Sequence, residues 1–262
     1  MAKVEWWRVS WQRVAFGLLA VFSALLAIMV GLLTLTPIVS HVETWHDARK
    51  FCRDEPVVAI LPQPLKDTAL ADLNNGMTIT HFDYSVQVPW TKTKIVRDFK
   101  TLVTMSFDNG TSLVMSGPAG NPDPLGTATR NEAAQRQLLR HFWGDEAISS
   151  HYDFVKAEMS AQPRDVSIFH SRSANARANT LMLFKRFTVP EGSTVIYSVG
   201  SGQLRGFQFG NPKKAPTSVE LLLFDQHDHS LKLSFRGPNG STQPVLSQEQ
   251  INAIVASIQP PA

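Results

Sequence analysis

The sequence predicts an α+β domain carried behind an N-terminal membrane helix. Three observations carry the prediction: a charge-free apolar run near the start, alternating apolar runs joined by turn residues, and helix-period segments that open on capping residues. Strands grouped apart from helices read as an antiparallel sheet with helices packed on it.

The apolar run is Val14 to Thr36, 23 residues whose only polar side chains are Ser23, Thr34 and Thr36. At about 1.5 Å per residue it spans roughly 30 Å, the thickness of a bilayer's hydrocarbon. A helix apolar on every face does not suit the surface of a soluble domain. Trp6, Trp7 and Trp11 precede the run and Trp45 follows it, and indoles favour the headgroup zone. A cleaved signal peptide has a shorter apolar region, about 7–15 residues, ending in a small-x-small site. Here Pro37 follows at once, and "IVS", ending at Ser40, puts Ile38 where a small residue is needed. The run is therefore expected to persist as a signal anchor.

Lys3, Arg8 and Arg13 lie before the span, and Arg49, Lys50 and Arg53 after it. The count is tied, but Arg13 abuts the span and the amino terminus adds a charge on its side. Positive charge stays inside. The expected arrangement is single-pass in the cell (inner) membrane, with a cytoplasmic N-terminus and an extracytoplasmic C-terminal domain. The chain then divides into a short N-terminus 1–13, the span 14–36, a juxtamembrane helix and linker 37–76, and a globular domain 77–262.

Composition narrows the function. Of the formal charge of +3, Lys3, Arg8 and Arg13 less Glu5 supply +2, leaving +1 for the remainder. The basic balance thus belongs partly to the membrane flank, and nucleic acid is not an expected partner. The single cysteine, Cys52, excludes an internal disulfide framework and a multi-cysteine zinc site.

Along the chain, Ile38, Val42, Trp45 and Cys52 recur at helical spacing after Pro37. The connector "VVAILPQPLKDTALADLNNG" is expected to hold one short helix, Leu65 to Asn74, stopped by Gly76. "THFDYSVQVPW" reads as one strand with Phe82, Tyr84, Val86 and Val88 on a shared face, ended by Pro89. "FKTLVTMSFDNGTSLVMSGP" is a hairpin turning at Asp108-Asn109-Gly110.

Helices follow. Thr129 to Glu132 has capping-box spacing ahead of Ala134, Leu138 and Phe142. Ser150 to Asp153 repeats it ahead of Val155 and Met159. A third helix is expected over about Ser173 to Thr188, with Ala174, Ala178, Leu181, Phe184 and Phe187 inward. Then come four strands, "STVIYSVG", "QLRGFQFG", "TSVELLLFD" and "HSLKLSFRG". Ser247 to Gln250 opens a closing helix that buries Ile251, Ile254, Val255 and Ile258.

"FDYSVQVPW", "VELLLFDQHDHSLKLSFRG" and "LSQEQINAIVASIQP" together resemble the PsbP-like family, which includes photosystem II extrinsic subunits and the Ran-binding Mog proteins. The likeness runs from about Thr78 to Pro260, and the section 118–170 is longer than in the compact members. It implies an α/β/α sandwich used for binding and assembly, generally without a catalytic centre, and it assigns no functional residue here.

Asp225, His227 and His229 are the metal candidates: at i, i+2 and i+4 on a strand they would share one face, and imidazole with carboxylate suits zinc or a similar ion. The simpler reading makes "DQHDHS" a solvated hairpin turn between two apolar runs, with no metal and no cofactor. His81, His141, His151 and His170 are scattered. No G-x-S-x-G, P-loop or H-E-x-x-H is present. Asp145 and Glu146 near His151 read as a loop between helices before they read as an acid/base pair. Arg172, Arg177, Lys185 and Arg186 make a basic region for a protein partner or anionic lipid, against the alternative of a solvated face. The leading expectation is a membrane-anchored binding or assembly module. Its rival is an anchored, hydrolase-like enzyme whose His and Asp/Glu groups meet only in the fold.

Overall fold

The computed structural model describes residues 55–118, 150–167, 169–213, 218–238 and 244–260, with residue 148 and a few positions before 51. The expected membrane run (Ser23 apart) and the helix opened at Thr129 lie outside the described residues. Among the described residues no helix is long and apolar enough to cross a membrane. Val42, Glu43, residues 45–47 and Lys50 are helical.

Ten strands, three α-helices and two 3-10 turns, Pro56–Ala59 and Pro163–Asp165, are described. The strands are β1 (Pro62–Pro64), β2 (Met77–His81), β3 (Tyr84–Val88), β4 (Thr93–Asp98), β5 (Leu102–Phe107), β6 (Ser112–Ser116), β7 (Ile196–Ser201), β8 (Leu204–Phe209), β9 (Ser218–Phe224) and β10 (Ser230–Arg236). The helices are α1 (His151–Ser160), α2 (Arg172–Thr188) and α3 (Gln248–Ser257). Eight strands form one sheet in the order β1-β7-β8-β9-β10-β6-β5-β4, and β2 pairs with β3 alone. Every pairing is antiparallel except β1 with β7. The fold is α+β, with a large, mostly antiparallel sheet.

Side-chain alternation assigns the layers. Val219, Leu221 and Leu223 of β9 join a core with α3 and the β2–β3 hairpin. Leu222 and Phe224, pointing the other way, join α1 through Phe154, Val155 and Met159. A third cluster sets Val58 against Ala161, Val166, Ala178 and Met182, with Trp45 packed on it. The sheet is thus covered on both faces.

The helix starts obey their sequence signals. The Ser150 hydroxyl accepts the Asp153 N–H at 3.0 Å. Ser247 and Gln250 cap each other's backbone at the start of α3. Each such cap is worth about 1 kcal/mol.

Three expectations are corrected. "THFDYSVQVPW" is not one strand: β2 and β3 turn back at Phe82 and Asp83, whose φ of 56° and 64° suit a two-residue hairpin turn. Phe82 tolerates that backbone because its ring lies on Gly117, where a Cβ would come within 2.5 Å of Phe82 Cγ. Residues 65–73 form no helix. Asp67 and Asp72 spend their carboxylates on the N–H groups of Ala69 and Asn74, and α3 takes the rest: Asn252 donates to the carbonyls of Asp67 and Ala69, and Glu249 O accepts from Ala71. The segment is a strap bound to α3.

The third correction concerns α2. Phe187 is 76% exposed while Lys185 is fully buried. Ala178, Met182, Lys185 and Val189 form the inward stripe, and Phe187 sits about 200° round the helix from Lys185. The Lys185 ammonium donates to Val58 O and Ala161 O, both at 3.0 Å. It ties the 3-10 turn Pro56–Ala59 and the end of α1 to α2.

Glu158 of α1 is also buried, and its Oε1 makes no hydrogen bond among the described residues. Burial pushes its carboxyl up to about 7, and the Thr188 hydroxyl and Lys185 charge oppose this less strongly. The folded pKa stands above the free value of 4.5, so the folded state keeps a proton that the unfolded chain has lost. That stabilisation is full below pH 4.5 and disappears as pH rises through about 7. Glu158→Gln should leave stability unchanged in acid and raise it by up to ~3 kcal/mol above neutrality. Urea unfolding across the pH range reads this, and a variant that tracks the wild type at every pH disproves it.

Candidate functional site

Two features of the fold offer ligand chemistry: the β9–β10 turn and a groove beside β7. The turn brings together the residues singled out in the sequence. Asp225, His227 and His229 each offer a ligand atom within 4.8 Å of the others. Asp225 is buried, whereas the two imidazoles face solvent.

The turn folds around the Asp225 carboxylate. Its Oδ1 accepts the backbone N–H groups of His227 at 2.8 Å and His229 at 2.9 Å. Its Oδ2 accepts the Tyr84 hydroxyl at 3.1 Å and lies 3.3 Å from His229 Nδ1. Burial, then the charge and hydrogen bond of Asp225, raise the Tyr84 phenol above its ordinary pKa. Asp228, with φ of 67°, turns its carboxylate to the opening N–H groups of His151 and Tyr152 and so adds a second cap to α1.

The remaining sequence candidates do not converge there. The His81 ring rests against Phe82. His151 meets Phe224 edge-on at 5.1 Å. His170 Nδ1 is 2.9 Å from Asp165 O. His141, Asp145 and Glu146 lie outside the described residues.

The basic region is also rearranged. Lys185 is buried and withdrawn from any surface patch. Arg186 pairs with Glu55. Arg177 Nε is 3.4 Å from Ser173 O, and Arg172 opens α2. Outside this set, Arg205 stacks its guanidinium 4.0 Å over the Tyr152 ring.

The groove had no sequence signal, because the strap that walls it read as a helix. β1 accompanies β7 only as far as Ser198, whereas β7 continues to Ser201. Leu65 N–H still donates to Ser198 O at 3.4 Å. Beyond that bond the strap swings to α3, opening a cavity of about 270 Å³. Leu65 and Leu70 wall one side, Ile251 and Val255 the other, and Gly200 and Ser201 the sheet edge.

Beneath it the polar groups are locked. The Gln208 and Gln248 amides exchange two hydrogen bonds of 2.9 Å, and Gln248 also donates to Asn252 Oδ1 at 3.0 Å. Asn252 holds the strap, so the amide chain couples β8 to α3 and to the groove wall. A second cavity of about 410 Å³ shares Leu65 and Asp67 and includes Lys66 and Lys213. Neither cavity is lined by Asp225, His227 or His229.

Tyr84→Phe should therefore loosen the turn, since it removes the donor joining β3 to Asp225. A loss of about 1–2 kcal/mol is expected in urea unfolding. No loss would mean that Asp225 does not depend on Tyr84. Compared with family models, curated proteins and solved structures, the chain matches none.

Proposed function

We propose that this is a single-pass, membrane-anchored protein whose α+β domain, outside the cytoplasm, binds an extended polypeptide segment in the β7 groove. The reading rests on one observation: β7 outruns β1 beside a cleft of mixed apolar and polar lining. In a strand, polar groups of alternate residues point the same way. Ser198 O faces the strap, so Gly200 two residues on turns its N–H and C=O toward the cleft. An incoming strand can bond there, while the exposed Leu70 and the half-buried Leu65 receive its side chains.

The anchor reading is supported by the charge-free run Val14 to Thr36 and its flanking tryptophans. The PsbP-like likeness is consistent with a sheet that carries helices on both faces and with a role in binding and assembly.

Leu70 is exposed and lines the groove, so Leu70→Asp should spare the fold. Peptides selected from a random library on the detergent-solubilised chain should lose at least ~10-fold in affinity on this variant, about 1.4 kcal/mol. Selected peptides that bind both forms alike contradict the groove assignment. For topology, an alkaline phosphatase fused after Ala262 should be active in cells. An expressed but inactive fusion reverses the orientation.

A further inference from the structure

The β9–β10 turn carries chemistry that the peptide groove does not use. Asp225 is a buried carboxylate whose one ion-pair partner among the described residues is the exposed His229. Two backbone N–H groups hold its Oδ1, and the Tyr84 hydroxyl directs its Oδ2. The carboxylate is therefore fixed before any ligand arrives.

The spacing then selects the ligand. Asp225 Oδ2 and His229 Nδ1 are 3.3 Å apart. This is long for a hydrogen bond of that type, which peaks at about 2.9–3.0 Å. A tetrahedral ion with bonds of about 2.0–2.1 Å holds its ligands about 3.3–3.4 Å apart. The His227 ring lies 6.0 Å from the His229 ring, centroid to centroid, and all three donor atoms fall within 4.8 Å. His227 adds an exposed imidazole to the set.

We propose that Asp225, His227 and His229 bind a divalent cation of the zinc class, with solvent completing the coordination. Two imidazoles and one carboxylate suit borderline ions, whereas calcium and magnesium prefer all-oxygen sets. Tyr84 acts as a positioning residue, since it orients the ligating carboxylate without contacting the ion. The bound ion would pin the turn, and through Asp228 would steady the start of α1.

The test uses the full chain in detergent, stripped of metal and titrated with Zn(II) by calorimetry and with Co(II) by visible absorption. One equivalent of Zn(II) should bind with micromolar affinity or better, and Co(II) should give the intense bands of four-coordination. The exposed imidazoles make His227→Ala and His229→Ala safe for folding, and each should weaken Zn(II) at least tenfold. Tyr84→Phe should weaken it less while leaving the Co(II) spectrum four-coordinate. Zn(II) binding that survives unchanged in the double variant His227→Ala/His229→Ala overturns the site, because other histidines would then be responsible. Absence of binding by the wild type at high micromolar Zn(II) overturns it equally.

Discussion

β9 carries Val219, Leu221 and Leu223 toward one side of the sheet and Leu222 and Phe224 toward the other. Neither side of the sheet's centre can then face water, because a buried Leu or Phe contributes about 1.5–3 kcal/mol that exposure would forfeit. Two covers are required. One is α3 with the β2–β3 hairpin, and the other is α1 with α2. The strap and the groove sit where these covers meet the β1–β7 edge, and the capped turn sits at one end of the central strands.

Covering both faces also traps polar groups, and several are satisfied by elements far away in sequence. Lys185 bonds backbone carbonyls at Val58 and Ala161. Gln208 of β8 exchanges bonds with Gln248 of α3. Asp225 takes the hydroxyl of Tyr84, 141 positions earlier. An unmade bond in such places costs about 1–3 kcal/mol, so these contacts fix register and orientation as well as adding stability. Glu158 differs, with an oxygen that has neither a hydrogen bond nor an ion pair among the described residues. Burial makes it hold a proton up to about pH 7, which makes the α1–α2 layer sensitive to pH.

What the sequence made legible follows from how local each signal is. Alternation located β7 through β10, and the caps at Ser150 and Ser247 located α1 and α3, because a few adjacent residues decide those features. The β2–β3 turn escaped because Phe82-Asp83 lacks the glycine or asparagine that marks a tight turn, and its cost is met by packing on Gly117. The strap escaped because the partner that unmakes its helix, Asn252, lies some 185 residues away. Lys185 was hidden differently. Its spacing from Ala178 and Met182 put it on the inward stripe, but a lysine reads as surface until two carbonyls are seen to receive it. For Asp225, His227 and His229, the sequence offered two alternatives, a metal set on a strand or a solvated turn, and the fold places them in the turn between β9 and β10. Only the fold shows the Asp225 carboxylate giving one oxygen to the backbone and the other to Tyr84 and His229.

Strand register relates the groove to the turn. Gly200 pairs with Arg205, Arg205 with Phe224, and Phe224 with Ser230. The open end of β7 and the β9–β10 turn therefore lie on the same end of the sheet, two to three strands apart, or about 10–15 Å at the usual spacing. A segment docked parallel to β7, continuing the direction of β1, leaves the groove past Ser201 at that same end. The segment takes the place of β1, one strand further out, so about four to six further extended residues, at about 3.3 Å each, would bring it over the histidines. The groove supplies apolar, backbone and neutral polar contacts with one carboxylate, Asp67, in its wall, whereas a bound cation at the turn would favour a carboxylate or imidazole on the ligand. Because both ends are fixed to the same rigid sheet, the distance between them would select a ligand by length as well as by composition.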